Sequence, residues 1–126
     1  MSITPYCSTA EFAIKQGYAN LAAYLAVHSD YPSEATLDDM LEEATQLMNM
    51  EIGLTGTTNI TDSAYTTFLR NLCYRMVLLM LDEEQGRAQE QRRSQYIPRD
   101  YMFERDRAKL QRIGLLNESR VVGQVG

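Results

Sequence analysis

Few residues in this chain have the types and spacing that catalysis or metal binding requires. The one histidine, His28, stands beside Asp30 in the run His28-Ser29-Asp30-Tyr31-Pro32-Ser33. A general base needs an oriented partner, and a metal ligand needs companions at set spacing. No second His and no cysteine pair is near it in sequence, so His28 reads as a loop residue at the surface. The carboxylate pairs Asp38-Asp39 and Glu42-Glu43 have the chemistry to attract a cation but not the ligand pattern of a site, and read as a solvated helix face. Gly53-Leu54-Thr55-Gly56 lacks the lysine and the preceding strand of a phosphate-cradling loop. Cys7 and Cys73 are far apart in sequence and read as small hydrophobes in a reducing cytoplasm. Serines and threonines have no base beside them. These types predict no enzyme, no cofactor and no metal centre.

Bases are the remaining chemical feature. Arg87, Arg92, Arg93, Arg99, Arg105, Arg107, Lys109 and Arg112 fall in one stretch, where they suit phosphate contacts. A small helical DNA-binding or regulatory protein is therefore the alternative function. Against it, Glu90, Asp100, Glu104 and Asp106 are interleaved, the isoelectric point is about 4.8, and no recognition-helix motif is evident. Mixed-sign helices more often pair with a protein partner or with each other.

The charge divides sharply along the chain. Through Glu84 there are three basic residues against twelve acidic ones, and from Gln85 onward nine against five. An acidic body with a basic extension predicts that the two meet between neighbouring subunits or partners. Asp38, Asp39, Glu42 and Glu43 are the expected acidic contacts, and Arg87, Arg92 and Arg93 the basic ones. The eight tyrosines, with no tryptophan, fit either a protein interface or the roof of a small core.

The elements that must position these residues are helical. Ser8-Thr9-Ala10-Glu11 is a capping box, predicting a short helix to Gln16 closed by Gly17; residues 18–27 predict another. Thr36 is the expected N-cap of the next helix and Gly53 its terminator. Between them Leu37, Met40, Leu41, Ala44, Leu47, Met48 and Ile52 recur at three and four residues, one apolar stripe. Asp62 or Thr61 should cap a long helix, apolar almost all round over residues 76–81 and hence central. Residues 82–95 hold no large apolar side chain, so they are expected to continue that helix out of the domain or to form a connector. Residues 99–113 can resume as a helix ended by Gly114, and residues 117–126 read as a tail.

A chain of 126 residues with 44% apolar content predicts one soluble domain. The first residues have neither the basic segment nor the apolar core of a secretory signal, and the longest apolar run, 76–81, is too short for a bilayer. The fold expected is all-α: a small bundle of about four helices with an extended C-terminal arm. Residues 1–95 would form the bundle and the projecting end of the long helix, and 96–126 the C-terminal helix and tail.

The string Leu37-x-x-Met40-Leu41-x-x-Ala44-Thr45-x-x-Met48-Asn49-x-x-Ile52-Gly53 follows an opening Tyr6-Cys7-Ser8-Thr9-Ala10-Glu11-Phe12, and precedes a Thr/Asn loop and a long Leu-rich helix. Over roughly residues 6–81 this order resembles the head–tail connector proteins of tailed bacteriophages, also called adaptor or head-completion proteins. The resemblance implies a helical bundle forming a ring, commonly of twelve subunits, beneath the portal protein. Such a ring extends the DNA channel without reading DNA sequence and presents a platform for the next neck or tail protein. It implies a location in the virion neck, after assembly in the host cytoplasm, and no membrane contact. It also implies that the C-terminal region reaches toward the portal. Tyr96, Ile97, Pro98, Tyr101, Met102, Phe103, Leu110, Ile113, Leu115, Leu116, Val121 and Val122 are the expected partner-binding residues of that arm, because residues 82–95 offer almost no apolar area to offset the cost of ordering their backbone. The alternative is that residues 99–113 fold back as a fourth bundle helix. The long polar stretch 82–95 departs from a compact example of the family.

Overall fold

A computed structural model of the chain describes residues 3–54, 58–88 and 101–125, and their side chains except at 85–88 and 118–125. Among the described residues the protein forms five α-helices and no strand, an all-α bundle as expected.

Helix α1, Thr9–Lys15, begins with the capping box: the Glu11 amide donates to Ser8 Oγ at 3.1 Å and the Ser8 amide to Glu11 Oε1 at 2.9 Å. It ends at Gly17, whose φ of 97° lets the Gly17 and Tyr18 amides turn back onto the Ile14 and Ala13 carbonyls. Helix α2, Leu21–Val27, starts later than expected because residues 17 and 18 complete that terminator; Asn20 then caps α2 through the Ala23 amide, at 2.8 Å. Helix α3, Glu34–Ile52, is capped by Ser33 rather than Thr36, its hydroxyl accepting from the Thr36 amide at 3.1 Å. Three earlier residues therefore join the helix, and Gly53 closes it with φ 97°. Asp62 caps a single 3-10 turn, Ser63–Tyr65, through the Ala64 amide, and the turn leads into helix α4, Thr66–Ala88.

The core lies where the apolar stripes meet. Leu37, Leu41, Ala44, Met48 and Ile52 of α3 face Leu69, Leu72, Cys73, Met76, Val77 and Met80 of α4, all buried. α4 shares the centre with α3, which packs on α1, α4 and α5. Phe12 and Tyr24 close one end with edge-on ring contact at 5.8 Å.

The C-terminal region differs from expectation. Helix α5 spans Glu104–Val125, so Gly114 lies inside it and the predicted tail is helical to Val125. It is also no detached arm. Met102, Leu110 and Ile113 are buried in the common core. Each such side chain contributes about 1.5–3 kcal/mol by leaving water. Two ion pairs fix the helix: Asp106, 4% exposed, holds Arg75 of α4 at 3.1 Å, and Arg107 grips Glu51 of α3. The expectation weighed the ordering cost of the polar stretch and assigned those apolar groups to a partner. It missed that α3 and α4 already supply both the apolar groove and the countercharges. The division into 1–95 and 96–126 is accordingly not a division of the core.

Candidate functional site

Three residues of the string that carries the family resemblance, Tyr6, Thr45 and Asn49, meet at one junction. The segment before α1 crosses α3, where the Tyr6 amide donates to Thr45 Oγ1 at 2.9 Å and the Tyr6 hydroxyl to Asn49 Oδ1 at 2.6 Å. The other side of the Asn49 amide donates to Asn59 Oδ1 at 2.8 Å and to the Thr58 carbonyl at 3.3 Å. Asn59 donates in turn to the Thr4 carbonyl at 2.7 Å, and the Ile60 amide donates back to the Tyr6 hydroxyl at 2.9 Å. Thr45 also lies 3.6 Å from the Cys73 thiol, which donates to the Leu41 carbonyl at 3.7 Å. Among the described residues no buried side-chain nitrogen or oxygen is left unpaired. Burial raises the Tyr6 phenol above its ordinary value and pushes the thiols up, to about 12 at Cys7 and about 11 at Cys73. Groups held neutral and enclosed in this way are structural fasteners, not nucleophiles.

The residues expected to bind a partner divide into three sets. Met102, Leu110 and Ile113 are buried, and Tyr101 is half-buried with its hydroxyl donating to Glu83 of α4. These four serve the protein's own packing, which corrects their assignment to a portal-side surface. Phe103, Leu115 and Leu116 are exposed and remain available. Tyr96, Ile97 and Pro98 lie outside the described residues. Val121 and Val122 lie on α5, with side chains outside the described set.

The charged residues divide too. Arg92 and Arg93 lie outside the described residues, and Arg87 lies on α4 with its side chain outside them. Asp39 and Glu43 are exposed on α3, with Asp38 and Glu42 half-exposed beside them. Partial desolvation, then the neighbouring Asp38 carboxylate, raises the Glu42 carboxyl above its ordinary value. None of the four pairs with a Lys or Arg side chain among the described residues. On α5, Arg105, Lys109 and Arg112 are exposed. Lys109 Nζ sits 5.1 Å from the Phe68 ring centroid and the Arg105 guanidinium 5.7 Å from that of Phe103. This stripe was read only as part of a mixed basic stretch. What sequence could not supply was which of the α5 charges the core would claim.

A small-molecule site has little support. An open cleft of ≈ 510 Å³ lies between the end of α3 and α5, lined by Leu54, Gly114 and Leu115 among others. Its one carboxylate, Glu51, is already engaged by Arg107 and by the Gln111 amide at 3.0 Å. Among the described residues no group of three His, Cys, Asp or Glu side chains is placed to hold a metal. No helix among them is long and apolar enough to cross a membrane. His28 packs its ring on Tyr24 at 4.3 Å and faces the Tyr24 carbonyl through Nδ1 at 3.0 Å.

No family model matches this chain, and neither a curated protein nor a solved structure matches it.

Proposed function

We propose that the protein is a structural connector of a tailed-phage neck. Copies form a ring, of twelve subunits in the family it resembles, that joins the portal protein of a filled head to the next neck or tail protein. The ring continues the DNA channel and belongs to the virion neck after assembly in the host cytoplasm. One observation carries this reading. Tyr6, from the opening of the resembling string, donates hydrogen bonds to both Thr45 and Asn49 of its helical part. The residues that carry the resemblance in order therefore include ones that this chain joins in space.

The charge distribution supports the same reading. An acidic body repels phosphate, which suits a channel through which DNA slides. The exposed Arg105, Lys109 and Arg112 favour the alternative, a helical DNA-binding or regulatory protein, but a net charge of −5 opposes it. Sedimenting the protein with filled, tailless heads separates the two: a connector co-sediments in a fixed small number of copies per head. Failure to co-sediment, together with tight duplex binding that weakens steeply with salt, would replace the connector with the DNA binder.

A further inference from the structure

We infer that the acidic face of α3 binds the basic stripe of α5 on a second copy of this chain, head to tail. The biological setting, though not the pairing itself, rests on the ring reading above.

The two faces stay exposed after three pairs between elements have formed within the chain. Arg107 is held by Glu51, Asp106 holds Arg75, and Glu11 lies 3.5 Å from Arg70. Among the described side chains, Asp38, Asp39, Glu42 and Glu43 give the α3 face one sign, and Arg105, Lys109 and Arg112 give the α5 stripe the other. On α3, Asp38 and Glu42 are four residues apart, as are Asp39 and Glu43, so like charges stack on adjacent turns where they repel. Partial desolvation, and then the Asp38 carboxylate one turn away, raise the Glu42 carboxyl. On α5, Arg105, Lys109 and Arg112 recur at four and three residues, which aligns them along one side of the helix. No carboxylate among the described residues pairs with any of them.

The faces do not meet within one chain. Arg107, Gln111 and Gly114 place α5 against Glu51 and Ile52, at the end of α3. Glu43 lies two helical turns before Glu51, roughly 12 Å back along the axis, and Asp39 a further turn. The basic stripe leaves α5 on another flank, where Lys109 covers Phe68 of α4. Two complementary faces on different sides of one subunit make a heterologous contact. Repeated, it closes into a ring when the rotation allows. A like-charged face gains most from a partner of the opposite sign, and the chain itself supplies that partner.

Two variants test the pairing: Arg105→Glu with Arg112→Glu, and Asp39→Lys with Glu43→Lys. All four positions are exposed, and circular dichroism verifies that each variant keeps the wild-type helix content. Sedimentation velocity is read at about 25 mM and about 500 mM salt, on either side of effective screening. Wild type is expected to self-associate at low salt and dissociate at high salt. Each variant alone is expected to associate at least about tenfold more weakly. An equimolar mixture of the two is expected to associate again, because each reversed face then meets a face of opposite sign. A monomeric wild type at low salt, variants that associate like wild type, or a mixture that stays monomeric would each overturn the pairing. Duplex DNA bound by wild type, and lost in the arginine variant without any change in self-association, would assign the stripe to nucleic acid instead. Co-sedimentation with filled heads is scored separately. Heads bound by a variant that still associates like wild type leave the connector standing and remove the pairing; pairing without head binding does the reverse.

Discussion

Asn49 uses nearly every polar atom it has. Its side-chain oxygen accepts from Tyr6, its amide nitrogen reaches Thr58 and Asn59, and its backbone carbonyl accepts from the Gly53 and Leu54 amides. The three-and-four spacing of α3 was legible, and Thr45 and Asn49 fall beside the apolar stripe at that spacing. Their partners were not legible, because a polar residue type does not say which distant segment, 39 or 43 residues back in the chain, will satisfy it. The thiols beneath this junction make its enclosure measurable. Both have ordinary values of 9.0 and are raised in the fold, so they keep their protons where the unfolded chain gives them up. Their stabilising effect is complete below pH 9.0 and is lost as pH climbs toward about 11 and 12. The urea midpoint should therefore fall as pH is raised from 8 to 10.5, and fall less in a Cys7→Ala, Cys73→Ala variant compared with its own value at pH 8. At pH 8 neither native thiol should react with a thiol reagent until the protein unfolds. Rapid labelling of the folded protein would show that the junction is open.

Gly114 is the residue where element-level reading failed. Gly17 and Gly53 do end helices, each with φ of 97°, and the same logic applied to Gly114 places a terminator where the helix runs on to Val125. Here the absence of a side chain serves packing. A Cβ at Gly114 would stand 2.0 Å from the Ile52 carbonyl oxygen, which is backbone and cannot rotate aside. Only the α3 surface facing it reveals this, so local sequence could not. The consequence reverses a general rule. Glycine to alanine inside a helix normally stabilises by roughly 0.5–1 kcal/mol, whereas forcing an atom into a closed contact costs about 1–3 kcal/mol or more. Gly114→Ala should lower the melting temperature by several degrees, roughly 4–8 °C per kcal/mol for a domain near this size, measured by the helix signal in circular dichroism. An unchanged or higher melting temperature would mean that α5 does not press on α3 at this point.

For the whole molecule, the all-α class and the start of α1 followed from periodicity and the capping box, while α2, α3 and α5 start several residues from where they were expected and the placement of the last helix did not follow. Charge patterning predicts contacts between neighbouring subunits or partners, through Asp38, Asp39, Glu42 and Glu43 with Arg87, Arg92 and Arg93; the ion pairs formed within the chain involve other residues. Within the chain the body and the last helix are joined by Arg107–Glu51 and, with the signs the other way round, by Arg75–Asp106, while an acidic face on α3 and a basic one on α5 stay exposed. Removing residues 101–126 should then strip the cover from α3 and α4 and lower stability by several kcal/mol, on the scale of three large apolar side chains returned to water. A truncated protein that melts like the full-length chain would restore the detached arm.

The connector reading meets its most direct test in electron microscopy of the full-length protein mixed with filled, tailless heads. The account predicts added ring-shaped density at the one vertex that carries the portal, coaxial with the DNA channel. Heads that show no added density, or density scattered over the shell without preference for that vertex, would contradict it.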